Sequence, residues 1–143
     1  MFWSNHCPFV KHIKNAFAEF AREYQDKGLA VVAINANDSA ASPVDRPDQM
    51  QADAERFDYT FDYLVDETQN VARAYDAACT PDFFLFDQDR KLVYHGQFDS
   101  SRPRNSEPVT GADLRTAADA ARARKPVARA QTPSIGCNIK WRS

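Results

Sequence analysis

A cysteine set at the first turn of a helix can serve as a nucleophile, and the run Ser4-Asn5-His6-Cys7-Pro8 sets one there. Pro8 suits the first helical position, where a missing N–H is harmless. The turn leaves backbone N–H groups unpaired and carries the positive end of the helix dipole, so a thiolate beside it is stabilised. A thiolate attacks a peroxide oxygen or a disulfide sulfur, which is the chemistry expected of Cys7. Ser4, three residues earlier, is expected to place its hydroxyl beside the sulfur and donate to it or to a bound oxidant. His6 has two readings, a group that tunes the thiolate or one that faces solvent. Trp3 also has two, a shield over the sulfur or a core residue. Lys11 either adds positive potential or belongs to a solvated helix face.

A second signal lies far along the chain. Thr80-Pro81 stands immediately before the apolar run Phe83–Phe86, where an X–Pro bond opening a strand is a candidate for the cis form. Cys79 adjoins that loop and Cys137 lies near the C-terminus; with Cys7 they are the only cysteines. Three is an odd, small number, which argues against a disulfide framework and for at least one free thiol. Cys79 is read as a resolving thiol or as a small packing residue. Cys137 is read as a resolving thiol for oxidised Cys7, as a partner of Cys79, or as a free thiol. His6, Cys7 and His12 together suggest metal handling, copper above all. The spacing from Cys7 to His12 does not bring them to one helix face, however, and no metal is expected. His95 is read as a surface residue. Asn37-Asp38, at the end of a strand, either border the site or make a turn.

These residues need elements to hold them. Val10, Ile13, Phe17, Phe20 and Tyr24 recur at helical spacing and predict one buried face from Pro8 to Lys27, with Gly28 in the left-handed position beyond it. Leu29–Ile34 is a continuous apolar run and predicts a strand covered on both faces. Residues 35–47 read as a loop, followed by a helix near Pro47 with Asp45 as its cap and Met50, Ala54 and Phe57 on it. Tyr63–Val65 reads as a short strand. Asp66 reads as the cap of a helix reaching Tyr75, with Val71 and Tyr75 turned inward. Phe83–Phe86 and Leu92–Phe98, joined by Asp87–Arg90, predict an antiparallel hairpin. Residues 101–108 read as a loop. Thr110 and Asp113 resemble a capping box for an Ala-rich helix reaching about Arg124, and an extended tail follows. A buried strand followed by a hairpin and a closing helix gives a mixed three-layer α/β sheet. Residues 1–125 form the expected domain, and residues 126–143 form a tail that packs on it.

The bulk composition narrows the partners. A chain of 143 residues, 43% apolar and 12% aromatic, can bury one core without staples. A net charge of −2 with interspersed signs gives no basic face for nucleic acid. No apolar run approaches the roughly 18–20 residues that cross a bilayer, and the first residues do not read as a signal peptide. The cytosol is therefore the expected compartment.

Phe2 to His12 resembles the active-site segment of bacterial thioredoxin-like proteins placed with the alkyl hydroperoxide reductase/thiol-specific antioxidant (redoxin) family. Cys79 to Asp87 resembles the cis-proline segment of those proteins, and Pro133 to Trp141 resembles their C-terminal signature. The resemblance implies a thioredoxin-like fold with Pro81 in cis and Thr80 facing the sulfur of Cys7, its backbone offered to a substrate. Many such proteins carry Cys-x-x-Cys where this chain has Ser4-x-x-Cys7, which rules out exchange within the motif. The single cysteine preceded by a hydroxyl residue is similar to the peroxiredoxin pattern. Only Phe2 and Trp3 stand where relatives run a strand into the motif, so that strand is expected to be lacking, with two sheet edges left open.

The resulting expectation is a thiol-dependent oxidoreductase that reduces peroxides or disulfides with Cys7. Ser4, Thr80 and Pro81 hold the reacting atoms, and Trp3, His6 and Pro8 line the site. An external thiol, thioredoxin-like or of low molecular weight, is the expected reductant. This chemistry calls for no cofactor and leaves the oligomeric state open. The alternatives are a redox-inactive module that binds an extended polypeptide across the Pro81 loop, and copper handling.

Overall fold

The computed structural model describes all 143 residues. In chain order the elements are α1 (Pro8–Asp26), β1 (Val32–Asn35), a short 3-10 turn (Pro43–Asp45), α2 (Pro47–Arg56), β2 (Asp62–Val65) and α3 (Asn70–Ala74). They continue with β3 (Cys79–Thr80), β4 (Phe83–Phe86), β5 (Leu92–Gly96), α4 (Ala112–Arg122) and β6 (Cys137–Asn138). β1 pairs in parallel with β2, β4 antiparallel with β5, and β3 antiparallel with β6.

The expected gap at the centre of the sheet is partly filled. Phe2 bridges Ile34 in parallel on one side and Asp82 antiparallel on the other. Its N–H donates to the Asp82 carbonyl at 2.9 Å, and the Trp3 N–H donates to the Ile34 carbonyl at 2.8 Å. Met1–Trp3 thus stitch β1–β2 to β4–β5 just before the motif. Beyond that stitch the two sheet edges flank an apolar cleft lined by Leu29, Val31, Phe84, Phe86 and Leu114 among others.

α1 organises the core. Val10, Ile13, Phe17, Phe20 and Tyr24 are all at most 4% exposed, so the whole predicted stripe is buried. Each such side chain contributes about 1.5–3 kcal/mol by leaving water. Phe17 sits at the hub, its ring centroid 5.2–5.6 Å from those of Trp3, Phe20, Phe61, Phe83 and Phe98. This packing fixes the helix whose first turn carries Cys7.

Several local expectations are corrected. Leu29–Val31 line the cleft instead of pairing, and β1 begins at Val32, which is 38% exposed. β5 stops at Gly96, short of Phe98. Asp66 does not cap α3; Gln69, in the left-handed conformation, precedes it, while the Asp66 carboxylate accepts the Ala72 N–H at 2.8 Å. Ala72 is the residue α3 buries, leaving Val71 and Tyr75 exposed. Gly111 takes the cap position of α4, Asp113 accepts from the Gln97 amide instead, and the helix ends at Arg122. His95 is exposed, as expected, and from the surface its ring stacks on Phe84 at 4.0 Å while Nε2 lies 3.0 Å from the buried Asp82 carboxylate.

Candidate functional site

Cys7 is the N-cap residue of α1, with Pro8 beginning the helix, and its carbonyl accepts the Lys11 N–H at 2.9 Å. The residue is only 6% exposed. Its Sγ lies 3.2 Å from the Thr80 carbonyl oxygen and 2.6 Å from the Sγ of Cys137. Two thiols from opposite ends of the chain therefore meet at one helix terminus. The Thr80–Pro81 peptide bond is cis.

The tail brings Cys137 there by pairing with the cis-proline strand. In the β3–β6 register Thr80 stands opposite Cys137, and Cys79 opposite Asn138. The strands come so close that a Cβ on Gly136 would run into the Thr80 carbonyl oxygen, and glycine permits that approach. Anchors lie on both sides of Cys137. Upstream, the Ser134 hydroxyl donates to the Gly96 carbonyl at 2.7 Å, and the Gln97 N–H donates to the Thr132 carbonyl at 2.9 Å. Downstream, Ile139 is 3% exposed among Phe2, Ala36, Ala72 and Ala77, and its N–H donates to the Ala78 carbonyl. The Lys140 N–H donates to Asn37 Oδ1 at 2.8 Å, and the Asp38 N–H donates to the Lys140 carbonyl at 2.8 Å. Asn37-Asp38 thus hold the tail.

The loop before Cys7 hangs on Asp45, which sequence reasoning assigned to a helix cap. Arg46 takes that cap position. The Asp45 carboxylate instead accepts from the Asn5 backbone N–H (2.8 Å), the Asn35 and Asn37 amides (both 2.9 Å) and the Ser42 hydroxyl (2.6 Å). Burial opposes its ionisation, but these donors outweigh burial and hold its pKa below the usual carboxylate value. No sequence signal marks this role, because its partners are scattered over the motif loop, the end of β1 and the loop that follows it.

The other candidate residues are placed as follows. Ser4, 1% exposed, shares a 3.2 Å hydrogen bond with the Thr80 hydroxyl rather than with the sulfur of Cys7. Trp3 is fully buried in the core, its indole N–H donating to the Tyr59 hydroxyl at 3.2 Å. His6 and Lys11 are exposed. His12 Nε2 lies 2.7 Å from the Ser101 hydroxyl. No three His, Cys, Asp or Glu side chains form a group that could hold a metal ion. Cys79 is half-buried, its Sγ 3.9 Å from the Pro81 carbonyl. Burial, with the negative charge of Asp82 and the nearby Cys7, pushes its thiol up to about 11. Burial and the adjoining Cys7 sulfur likewise push Cys137 up to about 11. Cys137 therefore stays protonated at neutral pH, while Cys7 occupies the N-cap position of α1.

Comparison with known proteins bears on the family and the fold. The sequence profile of the AhpC/TSA family matches residues 1–95. Over 92 residues the chain is 24% identical to the thiol-disulfide oxidoreductase ResA of Halalkalibacterium halodurans, covering 64% of this chain and 48% of that protein. The chain thus spans about half the length of this curated relative. Among solved structures it is similar to a hypothetical protein of Sinorhizobium meliloti, with 56% identity and a TM-score of 0.98, covering 99% of this chain and 78% of that one. It is also similar to an uncharacterized conserved protein of Geobacillus kaustophilus, with 55% identity and a TM-score of 0.97, covering 99% and 75%. A thioredoxin-like protein solved in its oxidised form matches with 24% identity and a TM-score of 0.68, covering 87% and 76%. That last likeness is one of fold, and the fold is thioredoxin-like. No helix is long and apolar enough to cross a membrane.

Proposed function

The chain belongs to the AhpC/TSA family, and from that footing we propose that it is a thiol redox protein whose working pair is Cys7 and Cys137. The observation that carries this reading is the 2.6 Å approach of the two sulfurs at the start of α1. Cys7 is the nucleophile. Its thiolate attacks a peroxide oxygen: the S–O bond forms, the O–O bond breaks, and the departing oxygen takes a proton. The sulfur of Cys137 then attacks the sulfenic acid, an S–S bond forms, and water leaves. With a disulfide as oxidant, Cys7 forms a mixed disulfide and Cys137 expels the second thiol in the same way. Two equivalents of an outside thiol, thioredoxin-like or of low molecular weight, restore the dithiol, and the reducing cytosol is the compartment that supplies them.

Supporting this assignment, Cys137 supplies beside Cys7 the second sulfur that the motif lacks at Ser4. The tail covers Cys7, which favours a small oxidant over a folded protein disulfide. The binding-module alternative needs a free strand edge at Thr80, and β6 takes that edge.

The test is oxidation of the reduced full chain with one equivalent of hydrogen peroxide, followed by non-reducing peptide mapping. A Cys7–Cys137 link is expected, together with a persistent sulfenic acid on Cys7 in Cys137→Ser. Oxidation of Cys7 no faster than a free thiol in solution removes the peroxide branch. A product linked through Cys79 overturns the pairing.

A further inference from the structure

Beside the motif loop, α1 and α2 border an open cleft of about 390 Å³ that the chemistry of Cys7 and Cys137 does not use. Asn5 and His6 form its wall next to Cys7, Lys11 and Lys14 line it from α1, and Asp53 and Arg56 line it from α2. Residues three apart share a helix face, so each of these two pairs turns into the same space. We propose that the cleft is a binding site for a small dianion bearing oxyanion groups, a dicarboxylate or a phosphate, held one helical turn from Cys7.

The cleft carries an excess of positive charge on a chain whose net charge is −2. Three cations, Lys11, Lys14 and Arg56, share it with one carboxylate, Asp53. That carboxylate is already engaged, since Lys14 Nζ donates to Asp53 Oδ2 at 3.1 Å. Lys11 and Arg56 form no ion pair. The acids close by in sequence do not neutralise them. Asp48 is paired with Arg46 at 2.9 Å, Glu55 accepts from the Gln51 amide, and Asp45 is buried among its own donors. Two uncompensated cations thus stand at the opening, beside the exposed His6.

Packing holds the cations in place before any ligand arrives. The Phe57 ring gathers two of them, with Lys14 Nζ 3.8 Å and Arg56 Cζ 5.4 Å from its centroid. Lys14 is only 6% exposed, so its ammonium is a fixed charge in the wall of the cleft. Cations drawn to one ring repel each other, and an anion between them relieves that repulsion with little ordering left to do. The donor set suits oxyanions. A guanidinium offers two parallel N–H groups to a carboxylate or phosphate. An ammonium offers three donors, of which Asp53 takes one from Lys14. The volume is that of a small-molecule site.

The ligand would touch the loop that ends at Cys7. Asn5 belongs to the cleft wall and is also tied to the rest of the site, its N–H donating to Asp45 and its side-chain carbonyl accepting from the Tyr63 hydroxyl at 2.8 Å. A dianion in the cleft therefore settles against a wall that is already braced.

Sodium malonate and sodium phosphate are the probes. Each is titrated separately into the reduced, isotope-labelled full chain at neutral pH, with sodium chloride adjusted to keep ionic strength constant. The backbone amide signals of Asn5, His6 and Arg56 are expected to move saturably in the millimolar range. Lys11→Gln and Arg56→Gln, both at exposed side chains, are each expected to weaken binding about tenfold, and Lys91→Gln, an exposed cation elsewhere, to leave it unchanged. Saturation by malonate alone names a dicarboxylate, by phosphate alone a phosphate, and by both the shared oxyanion chemistry. Shifts that do not saturate with either probe, or binding that survives Lys11→Gln or Arg56→Gln unchanged, overturn the site. No electron transfer enters this readout, so it stands or falls apart from the Cys7–Cys137 pair.

Discussion

Ser4 and Asp45 show how single side chains set up the site without touching the sulfur of Cys7. The Ser4 hydroxyl engages Thr80, both residues being buried, so Ser4→Ala leaves the Thr80 hydroxyl without its partner. A loss of about 1–2 kcal/mol is expected in urea unfolding. Asp45 gathers the motif loop through Asn5 and the β1 end through Asn35 and Asn37. Its pKa is lower in the folded chain than the unfolded value near about 3.9, so the unfolded chain takes up a proton first. The stability it contributes is therefore complete above that ordinary value and drains away as pH falls through the lowered one. Asp45→Asn is expected to cost about 1–3 kcal/mol at neutral pH and to flatten the acid limb of the stability profile below about pH 4. Denaturant titrations of both proteins at stepped pH check this; an unchanged acid limb would show that Asp45 is not the titrating group.

The tail is the element on which the pairing depends, and it is held by backbone and side-chain hydrogen bonds plus one apolar anchor. Ile139→Ala removes that anchor, a change that costs about 2–5 kcal/mol where the surroundings cannot close up. Gly136→Ala acts on the same strand by a different route, setting a methyl group against the Thr80 carbonyl. Both substitutions are expected to loosen β6 while leaving α1 and its aromatic hub intact. Two readouts follow: alkylation of reduced Cys7 speeds up at least tenfold, and the yield of the Cys7–Cys137 link falls. Far-UV circular dichroism close to that of the parent protein separates this outcome from general unfolding. If Cys7 in both variants stays as slow to alkylate as in the parent, the tail is not its cover.

Across the molecule, what could be read in advance depended on how far each signal extends along the chain. The α1 stripe repeats over five turns, and burial of that face is the only way to satisfy it. The Phe83–Phe86 hairpin has a similar logic, since both arms are apolar and the turn between them is polar. The Ser4-x-x-Cys7 head was legible because a helix start has a local grammar. The path of the tail was not, since a two-residue strand has no period and its partners lie 57 and 59 residues upstream. The Asp45 cluster and the His95–Asp82 pair were hidden for the same reason, being contacts made by folding rather than by spacing. The hub itself is open to test: Phe17→Ala is expected to cost about 3–5 kcal/mol of global stability by calorimetry. One further consequence comes from the distance along the chain between the paired sulfurs, which is 130 residues. A bond inside a Cys-x-x-Cys motif closes a tiny ring and leaves the unfolded chain nearly as free as before. A bond from Cys7 to Cys137 would tie almost the whole polypeptide into one loop, and a loop of that size removes about 5 kcal/mol of unfolded-chain entropy. Oxidation would then raise the melting temperature of the protein as it consumes the thiols. By thermodynamic reciprocity, whatever stabilises the fold also makes the oxidised pair harder to reduce, so each redox cycle tightens and relaxes the whole molecule.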